Sequence, residues 1–186
     1  MMSDDEALSL LLSGDSQEAL RCIQDLGPNA LIEGRPVVQW LSSVGSVDVV
    51  RAVLAMGGDP NLRATSGETA LLSAAYAGDR QLAQVLVDAG ADTDVADADG
   101  QNALMAAAKG GRLDLVRLLV EAGASVQRMD SRGRSALHWA VTEADSEDVV
   151  RYLLERGAPK DAVSRDGLTP HDYAIKLGRP MSAALL

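Results

Sequence analysis

The 186-residue chain holds two histidines, His138 and His171, among abundant serines and aspartates. Those are the residue types of a Ser-His-Asp hydrolase. Such a site needs a nucleophile on a strained turn, a base in reach of it, and donors aimed at the oxyanion. No segment supplies that turn. The stretch DTDVADADG, 92–100, resembles half of a calcium loop. With Asp97, Asp99 and Gly100 in register, the first ligand position is Val95 and the last is Ala106, so both end ligands are missing. There is no C-x-x-C pair, no H-E-x-x-H, no G-x-G-x-x-G and no P-loop ending in Lys-Ser or Lys-Thr. The sequence therefore predicts no catalytic residue, metal or cofactor, and an enzyme is the rival reading rather than the main one.

The glycines serve a different purpose. Gly34, Gly67, Gly100 and Gly133 follow one another at intervals of 33, and Gly167 comes 34 later. Aligned on them, the chain reads GRPVVQWLSSVG, GETALLSAAYAG, GQNALMAAAKGG, GRSALHWAVTEA and GLTPHDYAIKLG. A second glycine closes four of these segments, and Ala144 replaces it in the fourth. Apolar pairs four residues apart follow: Val49-Val50 with Val53-Leu54, Leu82-Ala83 with Leu86-Val87, Leu115-Val116 with Leu119-Val120, and Val149-Val150 with Leu153-Leu154. Pairs at that spacing mark one buried face of a helix. Gly57, Gly90, Gly123 and Gly157 stand where a left-handed residue would close it. Each unit is thus a first helix, a second helix and a turn-rich connector. The first helix starts near Pro36, Thr69, Asn102, Ser135 or Thr169. The extra residue behind the 34-residue spacing falls in the ADSED stretch before the fourth second helix.

This period, with TALL, NALM, SALH and TPHD in the T-P-L-H place and GGDPN, GADTD, GASVQ and GAPKD as connectors, resembles the ankyrin repeat. The resemblance runs from Gly34 to Gly178. Pro36-Val37-Val38-Gln39 and His171 depart from the family pattern. The implied fold is all-α: an ankyrin-repeat solenoid of stacked helix-turn-helix units with turn or β-hairpin-like connectors. It implies one domain over 1–186, with an N-terminal capping repeat at 1–30, repeats at 31–63, 64–96, 97–129 and 130–163, and a C-terminal capping repeat at 164–186. Ser3 and Glu6 are spaced as a capping box. The resemblance also gives His138 a structural role, bonding backbone near the connectors, and the same expectation extends to His171.

Composition narrows the function. Acids outnumber bases 27 to 17, for a formal net charge of −10. Such a field repels nucleic-acid phosphates and anionic membranes and favours a basic protein partner. Phe is absent, so Ala, Leu and Val must build the core. The lone Cys22 can form no intrachain disulfide and falls on a buried helix face. The N-terminus carries acids where a secretory signal carries bases, and its apolar run is too short to span a bilayer. A cytoplasmic protein, monomeric when free, is expected.

A stacked array leaves a curved groove lined by first helices and connector tips. Trp40, Trp139 and Tyr173 each stand six residues after a leading glycine, and Tyr76 stands nine after one. In the family those places face the groove, and aromatic rings there are common interface anchors. Connector charge changes sign along the chain, from Asp94, Asp97 and Asp99 to Arg128, Arg132 and Arg134. The predicted function is a non-catalytic protein–protein interaction module. Its expected partner-binding residues are Trp40, Tyr76, Trp139, Tyr173, Asp99, Arg132 and Arg134. By family resemblance, a narrower version is a bacterial immunity protein that neutralises a basic toxin.

Overall fold

The computed structural model describes residues 2–44, 46–143 and 145–186. Gly45 and Ala144, which end the first and fourth glycine-led segments, lie outside the described residues. The chain forms two compact units, Met1–Asp92 and Thr93–Leu186. The first unit contains α1 (Asp4–Leu11), α2 (Ser16–Leu26), β1 (Leu31–Ile32), β2 (Arg35–Pro36), α3 (Val37–Ser43), α4 (Val47–Ala55), α5 (Ala70–Ala77) and α6 (Arg80–Asp88). The second contains α7 (Ala103–Lys109), α8 (Leu113–Glu121), α9 (Ala136–Ala140), α10 (Glu147–Glu155), α11 (Pro170–Lys176) and α12 (Pro180–Ala183). Within each unit the helices pair in sequence order, first helices pack on first helices and second on second. Among the described residues no helix is long and apolar enough to cross a membrane.

Local chemistry sets the helix ends. Thr69, Asn102 and Thr169 accept from the backbone N–H of Leu72, Met105 and Asp172. Each side-chain oxygen satisfies one of the four donors a helix start leaves open. Ser3 and Glu6 form the reciprocal capping box read from their spacing. At the other ends, Gly57, Gly90, Gly123 and Gly157 all take positive φ.

Among the first helices, α7 and α9 are enclosed at nearly every position. In α7 every residue from Ala103 to Ala108 is buried. Four of those six are alanines, whose methyl side chains let neighbouring backbones approach closely. The second helices are buried on one stripe only, as their spacing predicts. The last member of each apolar set sits at the margin, though: Leu54, Val87, Val120 and Leu154 are half-buried. Cys22 is buried, its thiol 3.6 Å from Met2 Sδ, and burial pushes its pKa up. The additional residue of the fourth segment lies between α9 and α10. Here α9 is only five residues long. Asp145 in that turn accepts from the backbone N–H and hydroxyl of Ser182, while Arg179 donates to the carbonyls of Thr142 and Glu143.

The connectors are hairpins in miniature. β1 and β2 pair antiparallel across Glu33 and Gly34, both at positive φ. Single bridges replace the pair at Ala96–Asn102 and Met129–Ser135. Successive tips join through their backbones: Thr65 N–H donates to Gly34 O, Ser131 to Asp99 O and Arg165 to Arg132 O. Asn29 stitches from the side, donating to Gly57 O (3.2 Å) and accepting from Asp59 N–H (2.7 Å). Asn61 repeats both contacts with Gly90 and Asp92. In the second unit Asp94 accepts from Ser125 N–H and Gln127 donates to Gly157 O.

Two glycines of like conformation therefore differ in what surrounds them. Gly123 has φ +103 with nothing within 4 Å of an added Cβ; Gly100 has φ +78, and its Cβ would meet Ser131 N at 2.7 Å. Gly123→Ala should cost about 1–2 kcal/mol of left-handed strain. Gly100→Ala should cost about 1 kcal/mol more, because the Ser131–Asp99 backbone bond must open. Urea unfolding of both variants checks the order.

Candidate functional site

In the first unit, two aromatic residues stand on first helices. Trp40, on α3, is half-buried, and its indole N–H donates to Ile32 O across 3.0 Å. Arg35 lies over its ring at 4.4 Å, so the ring is held by the hairpin of its own segment. Tyr76, on α5, is 44% exposed, the most open ring of the expected set. Deeper in, Gln39 Nε2 donates to Ser73 Oγ, while its Oε1 is buried without a partner.

The second unit treats its ring differently. Trp139, on α9, is only 7% exposed. This corrects the expectation of an open groove-facing ring. Arg134 covers the indole at 3.9 Å and Lys109, from α7, at 5.5 Å. Both cations are neutralised in place, Arg134 by Asp130 at 2.8 Å and Lys109 by Glu143 at 2.9 Å. Asp130 is the hub of this cluster. Its Oδ1 accepts from the N–H groups of Arg132 and Arg134, and its Oδ2 from Arg134 Nε and Trp139 Nε1. Asp97 closes the turn of the preceding segment in the same way, accepting from Asp99 and Gln101. Asp97 and Asp130 each stand three residues before a leading glycine, a spacing that suits the turn and says nothing of the indole contact.

The remaining expected residues divide between exposed and engaged. Asp99 and Arg132 are exposed at successive hairpin tips. Arg134 is tied down, as above. Tyr173, on α11, is half-buried, its hydroxyl donating to Asp166 at 3.0 Å. Its ring meets His138 edge to face at 5.3 Å.

His138 is fully enclosed. Its Nδ1 accepts from Ser135 N–H at 3.1 Å, so the ring proton belongs on Nε2, which lies 3.1 Å from Leu168 O in the next connector. Every ring nitrogen is therefore committed to backbone, and none is available as a base. Burial holds its pKa below the ordinary 6.5, with Arg134 adding to the effect; Leu168 O and Asp130 oppose it. His171 differs from the expectation of a structural role. It stands exposed on α11, at a place where Val38, Leu71, Leu104 and Leu137 are buried. Its neighbour Asp172 closes a capping box with Thr169, which lowers the Asp172 pKa. Among the described residues no three His, Cys, Asp or Glu side chains cluster to hold a metal.

The family model for ankyrin repeats, a model of three copies, matches residues 38–130 and, in a second overlapping placement, 74–166. Together the placements run from 38 to 166, well over half of the chain. No curated protein matches it.

Two outcomes follow from the buried cluster. Asp130→Ala should cost about 3–5 kcal/mol, because Arg134 and the Trp139 N–H lose a buried partner together; chemical unfolding measures it. The folded state holds His138 neutral, so below pH 6.5 the unfolded chain binds the proton more readily. The stability that His138 contributes is complete above 6.5 and is lost as pH falls toward its depressed folded pKa. The wild-type urea midpoint should fall across that window, and His138→Leu, though less stable at about pH 7.5, should show a flatter profile.

Proposed function

We propose a function from one premise: the chain belongs to the ankyrin-repeat family, whose repeats are generally protein-interaction modules and usually non-catalytic. On this reading the protein binds a partner protein through its first helices and hairpin tips. The observation that carries it is Tyr76, a large amphipathic ring left 44% exposed on α5 of the first unit. Such rings bring wide contact area at little entropic cost, and they dominate interface energetics. Trp40 supports it with an edge already oriented by Ile32 and Arg35, so less freedom is lost on binding. In the second unit, Asp99 and Arg132 would supply polar rim contacts, while Arg134, Trp139 and Tyr173 would act as a stiff platform rather than as free anchors.

The net charge of −10 supports a basic partner, whose encounter would be accelerated by long-range attraction. Raising salt should then slow association more than it speeds dissociation.

The test uses the full chain as bait in a lysate of its source cell, followed by affinity measurement with the purified captured protein. Tyr76→Ala, shown by its thermal unfolding to be folded, should weaken that affinity at least about tenfold, or about 1.4 kcal/mol. Trp40→Phe, which removes the indole N–H bond and part of the ring area but keeps an aromatic ring, should weaken it less. Unchanged affinity in both variants would remove the first-helix face as the site. Trp139 is left intact, because truncating a buried ring would report on folding instead.

A further inference from the structure

Tyr152 is the aromatic residue that stands on a second helix, α10, and it is 3% exposed. Two guanidiniums lie against its ring. Arg117, from α8, and Arg156, at the end of α10, each bring Cζ to 4.7 Å from the ring centroid. Both arginines are themselves exposed. Asp114 and Glu121 flank Arg117 by one turn on α8, Glu155 precedes Arg156, and Glu147 pairs with Arg151. None of these acids comes within ion-pair distance of either ring-stacked guanidinium among the described residues. The Tyr152 hydroxyl is buried without a hydrogen-bond partner.

The contrast with Trp139 gives the cluster its meaning. Both rings are roofed by two cations. Over Trp139, Asp130 and Glu143 cancel the charges. Over Tyr152 no described acid does, in a chain with ten more acids than bases. The two exposed guanidiniums are donors only, and among the described residues neither has an ion-pair partner. What the cluster lacks is an acceptor with negative charge. A guanidinium fork matches a carboxylate in two parallel bonds, and stacking on a fixed ring holds the fork in place beforehand.

We propose that Arg117 and Arg156 form a docking point for side-chain carboxylates of an acidic segment in a partner protein, on the second-helix side of the second unit. This surface goes beyond the first-helix reading and does not share its residues.

The probe is a short fluorescein-labelled glutamate-rich peptide, followed by anisotropy near physiological ionic strength, where the overall negative field is screened beyond about 8 Å. Saturable binding is expected, weakened at least about tenfold in R117Q/R156Q. R117K/R156K should also weaken it, since lysine keeps the charge but loses the fork. Both positions are exposed, and an unchanged thermal midpoint confirms that the variants fold. Tyr76→Ala should leave the peptide affinity unchanged, so loss of one surface is told apart from loss of the other. Failure of the peptide to bind, equal binding of its glutamine counterpart, binding only of a phosphoserine peptide lacking carboxylate side chains, or an unaffected double glutamine variant would each overturn the proposal.

Discussion

A pair of helices this short cannot bury its own apolar stripe, so each segment must lean on the next. The closeness of that contact is the constraint behind the rest. Along α7 the six buried residues are four alanines, one leucine and one methionine. Small side chains let backbones approach, and close backbones bring hairpin tips within hydrogen-bond reach. At Gly100 the tips are so near that a single added carbon would strike the amide of Ser131 in the next turn. Glycine is demanded there twice, by the positive φ and by the neighbour. At Gly123 only the φ demands it.

Much of this was legible because it is local. A cap residue, a closing glycine and an apolar pair four residues on each report on a single turn of chain. Hence the first helices begin one residue after Pro36, Thr69, Asn102, Ser135 and Thr169, as read. Contacts between segments were not legible. Nothing at Trp139 itself says that Lys109 and Arg134 will close over it. The spacing six after a glycine is shared with Trp40, which stays half-open. The difference lies in a lysine of the preceding segment and in an aspartate whose turn role hid its second use. His171 failed for a related reason. The place it fills is buried when another helix packs over it, and here a polar residue stands in the open.

The same logic separates the two kinds of charge on the molecule. A cation over a ring gains from the quadrupole whether or not an acid is near. Where an acid is also bonded, as at Asp130, the result is a rigid structural knot. Breaking it leaves a buried charge, so its value is measured in stability. The tip residues Asp99 and Arg132 sit next to that knot and inherit its rigidity through their backbones. Asp99 O receives Ser131 N–H, and Arg132 O receives Arg165 N–H. Rigid backbones under exposed charged side chains are a favourable base for recognition, since little ordering remains to be done on contact.

Electrostatics then works on two scales that need not agree in sign. The net charge acts at long range, where it selects which molecules approach, and it is damped within a Debye length. At contact distance, single pairs decide, and the paired cations over Trp139 contribute no local field to speak of. The cations over Tyr152, unpaired among the described residues, do, against the sign of the whole chain. A partner with a basic surface and one acidic segment would satisfy both scales at once. A uniformly acidic one would be repelled before reaching the arginines. The composition of a chain therefore describes the encounter, and the pairing of individual side chains describes the complex.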